Sequence, residues 1–395
     1  MWTENKVFKE DLDYCVNASF IPWADFNDKT FLVTGATGLI GYTFTCALLY
    51  QSITKESGIK VLALVRDLEK AKAQYKEVLA DGAPLTFVQG SVDKLPEINE
   101  KIDYIMHGAC PTASAFFTEH PVETIKTIID GTDNMLNLAK DKKVKAMVHL
   151  SSMEVFGEIT DKRKLSEDDL GKIDLTSPRS SYPEAKRLAE NLCACYASEY
   201  KVPVRVARLV QTFGPGVKYE DKRIFAYMMR CALENKNIEL KTAGTKENSY
   251  LYTMDAVTAI LTLLAKGEYG KTYNVANEET YCSVKDMGRL VLETFGKKDL
   301  QVLTNIGTET STQMYPPPVI DESFNGKNQN SGLATKNTAC PDVLKNENSA
   351  NAGFRPDGYL NIDVAELKGI GWTAMLSLKD MYQRTLEIWK ESVKK

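Results

Sequence analysis

The chain has 395 residues, which at roughly 150 residues per domain leaves room for two structural units and a sizeable core. Hydrophobic residues make up 43% and charged residues 26%, the balance of an ordinary folded protein and not of a disordered or collagen-like one. Lys plus Arg number 49 against 53 Asp plus Glu, a formal charge of −4 that gives no electrostatic reason to expect a nucleic-acid partner.

The opening residues MWTENKVFKEDLDYC carry neither the basic start nor the apolar stretch of a secretory signal. No run approaches the roughly 18 apolar residues of a membrane span, so no membrane partner is expected and the expected address is the cytoplasm. Eight cysteines are scattered without CxxC pairs, and His107, His120 and His149 show no HExxH-like spacing. Reduced thiols and the absence of a metal site follow as expectations.

Residues 1–29 read as an N-terminal extension. From there, short β-branched runs alternate with helical patterns: FLVTG at 31–35, KVLALV at 60–65, LTFVQG at 85–90, DYIMHGA at 103–109, AMVHLSS at 146–152 and VRVARLV at 204–210. That rhythm predicts βαβ units and an α/β fold of the doubly wound Rossmann kind, a parallel sheet with helices on both faces, over 30–211. Val122, Ile125, Ile129, Leu136 and Ala139 recur near the helical period and predict a packed helix crossing one sheet face. After about residue 212 the pattern loosens into helices near 222–235, 254–266 and 283–296, with strand-like runs IELK, SYLYT and KTYNVA between them. Residues 212–395 thus read as a smaller α/β substrate lobe whose strands can return to the main sheet. Within it, 305–358 is an irregular insertion rich in Asn, Ser, Gly and Pro, expected to be a lid, an oligomer contact or a disordered loop. The segment LNIDVAELKGIGW and an amphipathic helix near 377–393 close the chain.

The motif TGATGLIG, Thr34 to Gly41, follows the first strand and opens a helix, the context a dinucleotide fingerprint requires. Gly35 permits the turn, Gly38 lets backbone approach a pyrophosphate, and Gly41 lets helix and strand pack closely. Thr37, Leu39 and Ile40 lie in the same loop and helix start, where backbone N–H groups face an anion. The second strand ends at Val65-Arg66-Asp67. An acidic residue there favours NAD, whereas arginine pairs with the 2′-phosphate of NADP; Arg66 tips the reading slightly to NADP, and Asp67 one residue later keeps NAD open. Ser91 and Val92, after the third strand, are further cofactor candidates.

Tyr182 and Lys186 form a YxxxK pair whose members share one helix face. An ammonium beside a phenol lowers its pKa from about 10 and lets tyrosine take a proton from an alcohol. Ser152, at the end of the fifth strand, is placed to hydrogen-bond the same oxygen, where open α/β sheets bind ligands.

Taken together, TGATGLIG, SSMEVFG, SYPEAK and RLVQTFGP resemble the extended short-chain dehydrogenases/reductases of the NAD-dependent epimerase/dehydratase (nucleotide-sugar) group. LNIDVAELKGIGW is similar to that group's closing segment, and HGACPTASAFF, HPVETIKTIIDGTDNML and SYPEAKRLAE are similar to stretches of the UDP-glucuronate decarboxylase branch. The resemblance implies a bound nicotinamide cofactor, a nucleotide-sugar substrate under the smaller lobe and a homodimer formed through helices near the YxxxK segment. It implies catalysis by transient oxidation at the sugar's 4-position, with Ser152, Tyr182 and Lys186 at the hydroxyl and Glu154 as a base or positioning group. Decarboxylation, dehydration or epimerisation can follow from the 4-keto sugar.

The departures bear on the substrate. Met153 stands where dTDP-glucose-type dehydratases carry an acidic proton donor; Ile128 and Gln211 replace asparagines, and Asn248 falls where an arginine grips the diphosphate. Arg223 and Arg208 are compensating cations to consider, and Cys110 and Thr112 border the expected pocket. Gln211, Arg223, Asn248, Cys110 and Thr112 are accordingly the substrate-side candidates. Two other readings stand beside the nucleotide-sugar enzyme: an NADP-dependent reductase or dehydrogenase of a sugar or other carbonyl, suggested by Arg66, and a non-catalytic NADP-sensing protein.

Overall fold

The computed structural model describes residues 5–304 and 358–393. The expectation of an irregular insertion at 305–358 therefore falls, but for Gly358, outside the described residues. Helix α1 (Lys6–Asn17) leads into β1 (Thr30–Thr34), α2 (Leu39–Thr54), β2 (Lys60–Val65), the short helices α3 (Leu68–Gln74) and α4 (Lys76–Ala80), β3 (Leu85–Gln89) and β4 (Tyr104–His107). Next come α5 (Ser114–Glu119), α6 (Pro121–Asp141), β5 (Ala146–Ser152), α7 (Ser181–Tyr200) and β6 (Val204–Leu209). The remainder comprises β7 (Gln211–Phe213), α8 (Ile224–Leu233), β8 (Ile238–Glu239), β9 (Glu247–Tyr252), α9 (Thr253–Lys266), β10 (Thr272–Val275), β11 (Asn277–Ser283), α10 (Val284–Thr294), β12 (Val302–Leu303), β13 (Tyr359–Leu360), α11 (Ala365–Gly369) and α12 (Leu378–Val393).

Seven strands form one parallel sheet in the order β10-β6-β5-β4-β1-β2-β3. The central strands are apolar on both faces and buried on both, as a sheet covered by helices on each side demands. One face buries Leu32, Leu62, Leu64, Ile105 and Met147 with Leu136 and Ala139 of α6 and Cys193 and Tyr196 of α7. The other buries Phe31, Val33, Val61, Ala63 and Val148 with α2 and α9, and this core runs on without a break into the lobe. The chain builds β1, β2 and β3 outward in one direction and then returns to β4 on the other side of β1. The carboxyl ends of β1 and β4 therefore flank the crevice where such sheets bind ligands.

Two regions differ from the sequence expectation, and a third follows a course it left open. KTYNVA is a strand that returns: as β10 it extends the main sheet beside β6. The lobe proper is a four-stranded sheet in which β9 pairs with β7, β11 and β13, with α8, α10 and α12 about it. The N-terminal extension is no appendage, because α1 lays Phe8, Leu12 and Cys15 into the core over α2, which is buried continuously from Gly41 to Ser52. A helix apolar all round needs cover on every side, and α1 supplies what the sheet and α9 leave open. Asp11 of α1 accepts hydrogen bonds from Tyr252 (2.6 Å) and Arg384 (2.7 Å), tying the first helix to β9 and α12. Finally, α6 forms as predicted, but only its later part packs as expected: Val122 is 63% and Ile125 43% exposed.

Candidate active site

At the β1–β4 crevice the glycine loop is held by backbone-to-backbone contact. Gly35 has φ +72°, and a Cβ added there would sit 2.9 Å from the Gly108 carbonyl carbon in the loop after β4. A Cβ on Gly41 would overlap the Gly35 carbonyl, whereas one on Gly38 would meet only the Gly35 oxygen, at 3.2 Å. Gly38 is the N-cap of the 16-residue α2 and provides no side-chain cap; its own N–H donates to the Gly35 carbonyl at 2.9 Å, which leaves the first-turn N–H groups of Leu39 and Ile40 available to an anion. Thr34 Oγ1 accepts the N–H groups of Gly108 and Ala109 at 3.2 and 3.1 Å, and Tyr75 donates to the Ala36 carbonyl at 2.6 Å, so both walls are fixed. An uncapped helix end beside a cradle without side chains fits the pyrophosphate of a dinucleotide.

Arg66 is the exposed residue immediately after β2. Asp67, also exposed, is the N-cap of α3, its Oδ1 accepting the Lys70 N–H at 3.0 Å. Thr37 is half-buried in the loop beside exposed Gly38, its carbonyl accepting from Gln74 at 3.3 Å. Ser91 is half-buried; Val92 lies under α6, where its carbonyl accepts from Asn134 at 2.8 Å and its side chain fills the space a side chain at Gly131 would need.

The second group of residues comes together at the end of β5 and the start of α7. Ser152 ends the strand, and its Oγ accepts the Glu154 N–H at 3.2 Å at the head of a short 3-10 turn. Arg187 of α7 grips that turn by donating to the Val155 and Gly171 carbonyls at 2.8 and 2.7 Å. One turn apart, Tyr182 and Lys186 are both buried on the sheet side of α7, and the Lys186 Nζ lies 5.9 Å from the Tyr182 ring centroid. The Lys186 ammonium donates to the Leu150 carbonyl at 2.7 Å.

The expected lowering of the phenol pKa by that ammonium is not what the structure shows. Burial pushes the Tyr182 phenol well above its ordinary value, the nearby Cys110 and Glu154 push it further, and Ser152 and Arg179 pull it down. Part of that burial is a cover over the ring: Phe117 of α5 stacks on Tyr182 with centroids 4.2 Å apart and planes 10° from parallel. Two residues that sequence reasoning missed complete this corner, Phe117 and Arg179. The Arg179 Nη2 donates to both Glu154 oxygens at 2.9 and 2.8 Å, and its guanidinium lies 5.1 Å over the Phe117 ring. These residues come from 114–119, 153–156 and 178–180, with no shared periodicity to betray them; an arginine three places before the YxxxK tyrosine was the only local sign.

The substrate-side candidates separate. Cys110 is half-buried and packs with Phe117, Ile128 and Tyr182, so it borders the site, and Thr112 is exposed in the loop leading to α5. Gln211 is half-buried on β7, beside Tyr250 of β9. Asn248 does not open to a pocket: it is 5% exposed, on the central strand of the lobe sheet between β11 and β13. The Gln211 Oε1, the Asn248 Oδ1 and the Tyr250 hydroxyl have no hydrogen-bond partner among the described residues. Neither compensating arginine offers a free charge. Arg208 is buried in a bidentate pair with Glu190 (2.7 Å), and the exposed Arg223 closes on Asp221 (2.6 Å).

A model of the NAD dependent epimerase/dehydratase family matches residues 31–276, from β1 through β10. The chain belongs to that family. It is 33% identical over 186 residues to UDP-glucuronic acid decarboxylase 6 of Arabidopsis thaliana, covering 47% of this chain and 53% of the relative. It is 27% identical over 268 residues to UDP-glucuronic acid decarboxylase 1 of Xenopus tropicalis, covering 68% of this chain and 61% of that one. The chain thus spans about half the length of the first of these curated relatives. Among solved structures, the fold is similar to UDP-glucuronic acid 4-epimerase of Bacillus cereus in complex with UDP-glucuronic acid and NAD (TM-score 0.65, 20% identity, 92% of this chain and 99% of that one). It is equally similar to dTDP-glucose 4,6-dehydratase of Bacillus anthracis in complex with NAD (TM-score 0.65, 18% identity, 93% and 98%). His107 and His149 are buried side by side in the sheet, and no group of three His, Cys, Asp or Glu suited to a metal ion occurs among the described residues.

Proposed function

We propose that this family member modifies a nucleotide sugar through transient oxidation at the sugar's 4-position, with NAD(P) bound at the Gly35–Gly41 loop. The observation that carries the reading is the meeting of Ser152, Tyr182 and Lys186, with Glu154, beside the glycine loop at the carboxyl edge of one parallel sheet. Bound there, a nicotinamide ring supplies a hydride acceptor that is restored at the end of the cycle. Tyr182 takes the proton of the sugar hydroxyl, Ser152 hydrogen-bonds the same oxygen, and Lys186, fixed on the Leu150 carbonyl, supplies the charge that favours the phenolate once a substrate displaces the Phe117 cover. Glu154 then faces the carbon made acidic by the new ketone. A sugar carrying a carboxylate would lose carbon dioxide, and the two decarboxylase relatives favour that branch.

The test is mass spectrometry on the protein incubated with UDP-, dTDP-, GDP- and CDP-sugars, UDP-glucuronate among them, with NAD or NADP supplied. Loss of carbon dioxide names a decarboxylase, loss of water a dehydratase, and an unchanged mass with altered retention an epimerase. Turnover of no donor rejects the reading.

One observation favours a second reading, an NADP-dependent reductase: Arg179, Arg208 and Arg223 are each committed to a carboxylate, and Asn248, at the position the family resemblance gives to a diphosphate-gripping arginine, is buried in the lobe sheet. Cofactor consumed one-for-one with product would select it. The NADP preference itself rests on exposed Arg66 with Asp67 engaged as a cap. A homodimer is part of the same proposal, supported by Val122, Ile125 and Leu188, apolar residues 63%, 43% and 52% exposed on the adjacent helices α6 and α7. Light scattering of Val122→Glu and Leu188→Glu variants tests it, since a dimer built there dissociates. The cysteines described are all free, which suits the cytoplasm proposed as its address. No described helix is long and apolar enough to cross a membrane.

A further inference from the structure

We propose that Arg179 is a positioning residue, which holds the Glu154 carboxylate in place and, through Phe117, sets the cover over Tyr182. The geometry is a closed ring of side chains. Tyr182 stacks on Phe117, Phe117 lies under the Arg179 guanidinium, Arg179 clasps Glu154, and Glu154 is tied through its own N–H to Ser152 beside the tyrosine. A further bond from the Ser181 hydroxyl to the Phe117 carbonyl, at 3.3 Å, fastens α5 to α7 within the ring.

Neither partner of the ion pair is freely solvated: the side chains of Arg179 and Glu154 are 21% and 29% exposed. A pair at this depth escapes part of the screening that makes surface ion pairs nearly worthless. Two hydrogen bonds from one nitrogen, with the flat face of the guanidinium on an aromatic ring, fix the direction of the carboxylate in a way that a flexible ammonium does not. One consequence follows for the chemistry. Arg179 offsets the unfavourable effect of Glu154 on the neighbouring phenol, since the two charges act on Tyr182 in opposite senses, so that losing the arginine raises the pH at which the phenolate forms. Removing Arg179 leaves a lone carboxylate beside a buried tyrosine that must ionise.

The activity arm of the test rests on the proposed function and uses UDP-glucuronate with NAD supplied, measured for wild type, Arg179→Met and Arg179→Lys across pH 5 to 9. Arg179→Met is expected to lower kcat by about tenfold or more with KM little changed, and to move the acid limb of the pH profile upward by about one unit. Arg179→Lys keeps the charge, so its acid limb is expected to stay near that of wild type while kcat recovers only in part. An acid limb that does not move in Arg179→Met overturns the proposal and leaves Arg179 a loop staple. Should wild type turn over no sugar nucleotide, the functional reading fails and hydrogen exchange decides this one separately. Exchange over residues 113–119 is expected to quicken several-fold in Arg179→Met and in Glu154→Gln, with the double variant no faster than either single one, because both break the same link. Additive or absent effects overturn it.

Discussion

The glycine-loop crevice and the lobe above it are built by opposite means. At the crevice, eight consecutive residues make a surface in which the three glycines pack main chain against main chain, Gly35 against Gly108 and Gly41 against Gly35. The lobe gathers its sheet from 211–213, 247–252, 277–283 and 359–360, and it leaves Gln211, Asn248, Tyr250 and Tyr382 with polar atoms unpartnered among the described residues. A cradle for a constant ligand tolerates no side chain, while a surface for a variable substrate is a collection of exchangeable ones. The first is therefore stiff and intolerant of substitution, and the second is open to exchange of its side chains.

Substitutions on each side of this contrast should differ in kind as well as size. The largest effect is expected at the junction of the two regions, where Tyr182→Phe removes the proton acceptor and lowers kcat by about 10³-fold with cofactor affinity unchanged; a rate within twofold of wild type would remove Tyr182 from the chemistry. Next comes Gly41→Ala, whose Cβ overlaps the Gly35 carbonyl and must push α2 off β1. A loss of about 3 kcal/mol of stability together with cofactor binding is expected, read by denaturant unfolding and by titration with NAD and NADP. A lobe substitution of similar size, Asn248→Ala, is expected to spare cofactor binding altogether.

A third prediction concerns the joint between the two regions. Asp255, at the start of α9, accepts the Met375 N–H at 2.9 Å through one oxygen, and its other oxygen has no described partner. Burial pushes its carboxyl up to about 7, so the folded state holds a proton that the unfolded chain, at about 3.9, releases. The folded state binds more protons between those values, and stability therefore falls as pH rises through them. Asp255→Asn keeps the acceptor for Met375 without the charge. It is expected to raise the melting temperature at pH 8, with a gain that shrinks as pH falls from 7 toward 4; an equal gain at pH 8 and pH 4 would show that charge is not the cause. The smallest effect is expected from Arg66→Ala, which should cut the preference for NADP over NAD by about tenfold and leave the fold untouched.

Much of the cofactor half was legible in the sequence because its signals are local. KVLALV and AMVHLSS coincide with β2 and β5, and TGATGLIG states its own strand, turn and helix. Tyr182 and Lys186 were legible for the same reason, since four residues on a helix fix a shared face. Phe117 and Arg179 were not, because their meeting with Glu154 depends on how α5 and the turn before α7 pack. The exposed Val122 and Ile125 were misread for a related reason: periodicity says that a face is apolar and not whether this chain or another covers it.

The sequence by itself determined the parallel sheet, the glycine turn between its first strand and helix, and the shared helix face of Tyr182 and Lys186, because each is written within about ten residues and obeys the period of one strand or one helix. Only the tertiary structure decided that β10 returns to the main sheet, that α1 completes the cover of α2, that Arg208 and Arg223 are spent on Glu190 and Asp221, and that Arg179 reaches Glu154. Those outcomes turn on which distant groups a buried charge or an apolar face meets once the chain is compact, and no periodicity along the chain carries that information.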